Sequence, residues 1–234
     1  MYCKQNGVFM PYQTSTRKQV TFLIADAWAA VCAADRINDN QYFNTNTYPV
    51  PAGKKLNKFV AYELLENPGA ITEEDRVQGQ LLSEHFAGLL FRTLKGPASN
   101  GFMDTVANIV AKQEVTKFDV ACMAALPKTY RKDIVRETVR DRQDKLASTS
   151  QHIGSESTKH ELDVEIIDSV FSRNYNIWVV TATDGANTIK FSTAHDQTIF
   201  PVGEKIRIKG SVKRHDINNR NGAKETWLTR VKRI

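Results

Sequence analysis

Two periodicities divide the chain. From Thr14 to about Ala147 apolar residues recur every three or four positions, and from His160 onward they alternate. In the first part Ser15 or Thr16 is placed to cap a helix running to about Asp35, with Val20, Leu23, Ile24, Ala27, Trp28, Val31 and Cys32 on one face. An Asn-, Thr- and Pro-rich loop follows from Asn38 to Leu56. A short helix spans Lys58 to Glu66 and stops at Asn67-Pro68-Gly69. Thr72 with Asp75 makes a capping-box start for the next helix, whose apolar stripe holds Val77, Leu81, Leu82, His85, Phe86, Leu89 and Leu90 and ends at Gly96-Pro97. Ser99 to Glu114 is a further helix. Phe118 to Ala147 is the last helical stretch, with Pro127 starting a new helix inside it. Its Tyr130 to Lys145 part is highly charged, as a solvated or partner-facing helix would be.

Residues 148–159 are small, polar and without pattern, which reads as a linker. Beyond them Leu162, Val164 and Ile166 alternate with Asp163, Glu165 and Ile167. A turn at Ser172-Arg173-Asn174 leads to a strand from Tyr175 to Thr183, and Asp184-Gly185 turns it back into Thr188 to Thr193. Glu204 to His215 is the fourth strand, Asn218 to Gly222 a turn, and Thr226 to Lys232 the fifth strand. Five strands in about 75 residues, with no room for a crossover helix, suit a small closed barrel. The expected class is α+β: an α-helical N-terminal domain over 1–147, a linker over 148–159 and a five-stranded β-barrel over 160–234.

Charge changes the picture most at the end of the chain. The net charge is +6, a level that suits contact with a polyanion and also occurs without one. After Asn187 the basic residues are Lys190, Lys205, Arg207, Lys209, Lys213, Arg214, Arg220, Lys224, Arg230, Lys232 and Arg233. Only Asp196, Glu204, Asp216 and Glu225 oppose them. Cys3, Cys32 and Cys122 are far apart and in no paired spacing, against a disulfide framework or a zinc site; Cys32 and Cys122 read as buried thiols. No apolar run approaches a membrane span, and the N-terminal residues lack the basic-then-apolar order of a signal peptide, so no membrane association and a reducing cytoplasm are expected.

In the fourth strand Ile206 and Ile208 face one way and Lys205, Arg207 and Lys209 the other. A row of cations tracks a sugar–phosphate backbone and releases its counterions, although half-buried strands show such rows without any ligand. Phe171, Tyr175, Trp178, Phe191, Phe200 and Trp227 lie in or beside the strands. Some of them fill the barrel. Tyr175 and Trp178 cannot share a face of a regular strand, so at least one points out of the core. Exposed rings beside cations stack bases with little regard for sequence, at about 1–3 kcal/mol per base. Trp178 and Trp227 are the strongest stacking candidates.

The run Gly203-Glu-Lys-Ile-Arg-Ile-Lys-Gly210-Ser-Val-Lys-Arg-His215, followed by Gly222-Ala-Lys-Glu-Thr-Trp-Leu-Thr-Arg-Val-Lys232, resembles the end of OB-fold domains of tailed-bacteriophage proteins and of the replication protein A type. The resemblance covers about a third of the chain. The matching positions are Gly210, Val212, Lys213, His215, Lys224, Thr226, Leu228, Arg230, Val231 and Lys232. It implies an OB-type barrel holding single-stranded nucleic acid, DNA before RNA, in a bacteriophage-type replication or recombination accessory protein in host cytoplasm. The candidate strand-binding residues are Arg173, Tyr175, Trp178, Lys190, Lys205, Arg207, Lys209, Lys213, Arg214, His215, Lys224, Trp227 and Arg230. The chain ends Arg230-Val-Lys-Arg-Ile, not in an acidic recruiting tail, which leaves any contact with a replication or recombination partner to the helices.

No GxSxG, HExxH, CxxC or GxGxxG is present. Pro51-Ala-Gly53-Lys54-Lys55 lacks the upstream glycine and the following hydroxyl residue of a phosphate-binding loop. Glu161, Asp163 and Glu165 point one way on their strand, and such carboxylates are usually solvent-facing and not metal ligands. No cofactor, metal or catalytic residue is expected. Two other readings stay open: an adaptor whose barrel binds protein while the helices recruit a helicase, polymerase or nuclease, and a nucleic-acid-processing enzyme with a catalytic helical domain.

Overall fold

The computed structural model describes residues 2–5, 8–11, 20–47, 49–93, 101–194 and 198–234. Packing divides the chain into two compact units, Met1–Lys132 and Asp133–Ile234. The class is α+β, with helices first and a closed five-stranded barrel of OB type last.

In the first unit β1 (Tyr2–Gln5) and β2 (Val8–Pro11) pair antiparallel, and β3 (Thr21–Leu23) leads into α1 (Ile24–Ile37). After α2 (Asn57–Glu66) and a 3-10 turn at Pro68–Ala70 come α3 (Glu73–Thr93), α4 (Gly101–Val110), β4 (Glu114–Thr116), α5 (Lys117–Met123) and the start of α6 (Leu126–Ala147). The helix expected to begin near Ser15 begins at Ile24 instead, and the proposed caps Ser15 and Thr16 lie outside the described residues. Thr21–Leu23 pairs antiparallel with Glu114–Thr116, the Thr21 hydroxyl donates to Glu114, and Phe22 sits opposite the buried Val115. The same pairing ends the helix expected to reach Glu114 at Val110. Pro127 stands in the first turn of α6, as anticipated, and the stop at Gly96-Pro97 lies outside the described residues.

Helix α1 is buried continuously from Ala27 to Asp35, which its alanines permit by letting neighbours close on every side. α3 comes close at Gly79, where a Cβ would stand 2.9 Å from the Trp28 carbonyl carbon. Trp28 stacks on Phe86 within this core, and His85 packs edge-on against Phe86 and Tyr130. On α3 Leu82 and Phe86 are buried, whereas Val77 and Leu81 of the expected stripe are exposed. Burial pushes the Cys32 thiol up to about 12. Two helices start from the same device. Thr72 with Asp75 and Thr116 with Asp119 exchange side-chain-to-backbone bonds, and each aspartate also holds a cation, Arg36 or Lys112.

The second unit contains residues 133–147 of α6, the segment 148–158 and the barrel strands β5 (Lys159–Ser172), β6 (Ile177–Thr183), β7 (Thr188–Thr193), β8 (Lys205–Ile217) and β9 (Lys224–Arg233). Strand order around the barrel is β5-β6-β7-β9-β8, closing on β5; β7 and β9 are parallel and all other pairs antiparallel. Val164, Ile166, Val180, Ala182, Ile189, Phe191, Phe200, Ile206, Ile208, Val212 and Leu228 fill the interior. Residues 148–158 run against the barrel. The Ser150 hydroxyl accepts from the Thr188 N–H and donates to the Lys224 carbonyl, the Ile153 N–H donates to Thr226, and Ser157 and Thr158 bond the backbone of Val212. From α6, Asp144 bonds Arg220 and Asn221 of the β8–β9 turn, and Arg142 pairs with Glu165. No helix among the described residues is long and apolar enough to cross a membrane.

Candidate nucleic-acid interface

The strand register brings three of the candidate residues into one transverse row on the outside of the barrel. Lys190 of β7 and Arg214 of β8 both stand opposite Trp227 of β9. Alternation requires this, since the flanking Thr226 and Leu228 point into the interior and Trp227 must point out. The Arg214 guanidinium carbon lies 4.6 Å from the indole centroid and the Lys190 ammonium 5.8 Å from it. The indole N–H is shielded and has no acceptor among the described residues. Lys190 is fixed from the other side by Glu225, whose buried carboxylate it meets at 2.8 Å and which also accepts from Asn218. Arg214 is half exposed and touches Asp216 at 3.5 Å.

A second group gathers at the β5–β6 turn. Phe171 and Trp178 are cross-strand partners with ring centroids 5.2 Å apart. Tyr175 lies in the turn itself, not in β6, and is 77 % exposed; Arg173 beside it is exposed as well. The non-glycine residue Asn176 takes a left-handed φ of 52° to close the turn.

The remaining candidates are placed differently. Lys205, Arg207 and Lys209 form the outward row expected of them, but β5 sets Glu165, Asp163 and Glu161 directly opposite. Lys209 meets Glu161 at 2.7 Å, and Arg207 lies 3.5 Å from Glu161 and 3.9 Å from Asp163. The Lys209 hydrogen bond and charge hold the Glu161 carboxyl below its ordinary value. This face is therefore a ladder of alternating sign. At its end a cleft of about 420 Å³ is lined by Asp163, Glu165, Asp184, Lys205 and Arg207. Lys213 sits at a bulge in β8 and is exposed. Arg230, also exposed, takes a φ of 56° where β9 bulges against Gly210. Lys224 bonds Gln151.

His215 serves the segment before the barrel. Its ring stacks on His152 at 4.4 Å and donates to the Ile153 carbonyl, while His152 donates to the carbonyl of Asp216. Sequence spacing gave no hint of this pair, nor of Glu225 as the anchor of Lys190. The second was within reach: Glu225 and Trp227 occupy alternate positions of one strand and so share its outer face. Among the described residues no group of three His, Cys, Asp or Glu side chains is placed to hold a metal ion. Comparison of the chain with protein-family models, with curated proteins and with solved structures returns no match.

Proposed function

We propose that the barrel holds single-stranded nucleic acid, DNA before RNA, and that the protein serves replication or recombination as an accessory of bacteriophage type. One observation carries this reading: the outward Trp227 ring flanked by Lys190 and Arg214 on the β7–β9–β8 surface. Single-strand binders combine cations that follow the backbone with rings and guanidinium planes on which bases stack. OB barrels use the outer face of their second and third strands together with the loop between the first and second, which here are β6, β7 and the Arg173–Asn176 turn. The exposed Tyr175 and the Phe171–Trp178 pair supply rings at that turn. The β8 cations opposite Glu161, Asp163 and Glu165 contribute less than their sequence suggests, because a phosphate there must compete with carboxylates already in place.

The test is binding of single-stranded oligonucleotides across a salt series. The reading expects log K to fall linearly with log salt, with a slope set by the few phosphates neutralised. No binding at low salt would contradict it and favour a protein-binding barrel. Metal-dependent loss of the oligonucleotide would favour a processing enzyme.

A further inference from the structure

Two histidines join residues 148–158 to the barrel. The His152 and His215 rings stack face to face, with centroids 4.4 Å apart and planes 4° from parallel. Their hydrogen bonds are reciprocal. His152, in the segment, donates to the carbonyl of Asp216 on β8 at 3.0 Å, and His215, on β8, donates to the carbonyl of Ile153 in the segment at 3.3 Å. A carbonyl only accepts, so each Nε2 keeps its proton at any pH and acid adds the second proton at Nδ1. Between these bonds the Ile153 side chain packs on the barrel interior.

We infer that the stacked pair is an acid-sensitive latch, which holds residues 148–158 on the barrel at neutral pH and lets them go in acid. One charged ring over a neutral one brings no like charges together. Two charged rings 4.4 Å apart repel each other. Among the described residues neither ring bonds a carboxylate that would offset the second charge. Arg214 and Asp216, which flank His215 on β8, lie 3.5 Å from one another, and Glu225 of β9 is paired with Lys190 at 2.8 Å. Lys224 of β9 donates to Gln151 beside His152 and brings a further positive charge to the segment. Glu156, the segment's own carboxylate, is exposed and bonds neither ring. His160 of β5 touches the segment at the Thr158 hydroxyl, 2.8 Å away, outside the stack. Released, both rings stand in water and take up protons near the ordinary histidine value of about 6.5. The released segment then binds one proton more than the docked one. Docking is therefore strongest above that value, and its equilibrium constant falls by up to about tenfold per pH unit below it.

The latch does not rest on what the barrel binds. Hydrogen exchange of the full chain, expressed as protection relative to the unfolded chain, tests it between about pH 8 and about pH 5. The reporters are the Ile153, Ser157 and Thr188 N–H groups, whose acceptors lie across the boundary between segment and barrel. Their protection should fall by up to about tenfold per pH unit below about pH 6.5, while that of the β6–β7 pairing stays constant. His152→Gln and His215→Gln keep an N–H donor and take up no proton, and each should abolish this pH response. Equal protection at both ends of the range in the parent protein would overturn the inference, whatever the variants do. So would a loss shared equally by the β6–β7 amides, which is general acid unfolding. A pH response that survives in both variants would also overturn it, by assigning the response to other groups.

Discussion

The Arg214 guanidinium lies over the Trp227 indole, 4.6 Å from the ring centroid to its central carbon, on the outer surface of the barrel. Cation and ring therefore share one place, and their contributions to binding separate by mutation. Arg214 is half exposed, and truncating it to alanine should change folding stability by less than about 0.5 kcal/mol. The same change should lower the salt slope of oligonucleotide binding by about 1. Trp227→Ala should leave that slope intact and weaken binding by about 1–3 kcal/mol, as read by anisotropy titration.

Lys190 behaves otherwise because its partner is buried. Removing the ammonium with Lys190→Met leaves the buried Glu225 carboxylate without its ion pair, at a cost of about 2–4 kcal/mol. Urea unfolding of Lys190→Met alone and with Glu225→Gln checks this: the double variant should recover most of the loss, because no unpaired charge remains.

Ser150 tests whether the segment before the barrel is part of it. Its hydroxyl bridges the Thr188 N–H and the Lys224 carbonyl, and Ser150→Ala strands a buried donor. The expected destabilisation is about 1–3 kcal/mol, seen as a lower urea midpoint at constant m-value.

Acid sensitivity follows from the two capping aspartates of the helical unit. Burial alone would raise Asp75 and Asp119, but hydrogen bonds from Arg36 and Thr72, and from Lys112 and Thr116, outweigh it and hold both carboxyls below 3.8. Their contribution is thus present above the unfolded value of 3.8 and is lost as pH falls through the lower folded values. The stability gap between the parent protein and Asp75→Asn should be widest near neutral pH and shrink below about pH 4, as measured by thermal unfolding across that range.

What the sequence made legible was local. Alternation separates Ile206 and Ile208 from Lys205, Arg207 and Lys209 without knowledge of any neighbour, and Thr72 with Asp75 marks a helix start within four residues. What it hid depended on partners distant along the chain. The carboxylates facing the β8 cations lie on β5, so Lys209 and Glu161 meet across a separation of 48 residues. The cationic C-terminal end is cationic in sequence but not on that face. Val20 to Leu23 carry apolar residues at helical spacing, yet pairing with Glu114–Thr116 takes precedence over it. Small polar residues before the barrel suggest a linker, while the bonds made by Ser150, Ile153 and Ser157 depend on strands that follow much later in the chain.

The three tryptophans supply the most direct test, since one is core, one lies at the β5–β6 turn and one lies on the outer row. Indole N–H resonances of the full chain are followed by NMR during titration with a single-stranded oligonucleotide at low salt. Strand binding by the barrel predicts that Trp227 and Trp178 shift while Trp28 holds its position. Saturating oligonucleotide that leaves the Trp227 resonance unmoved would contradict it.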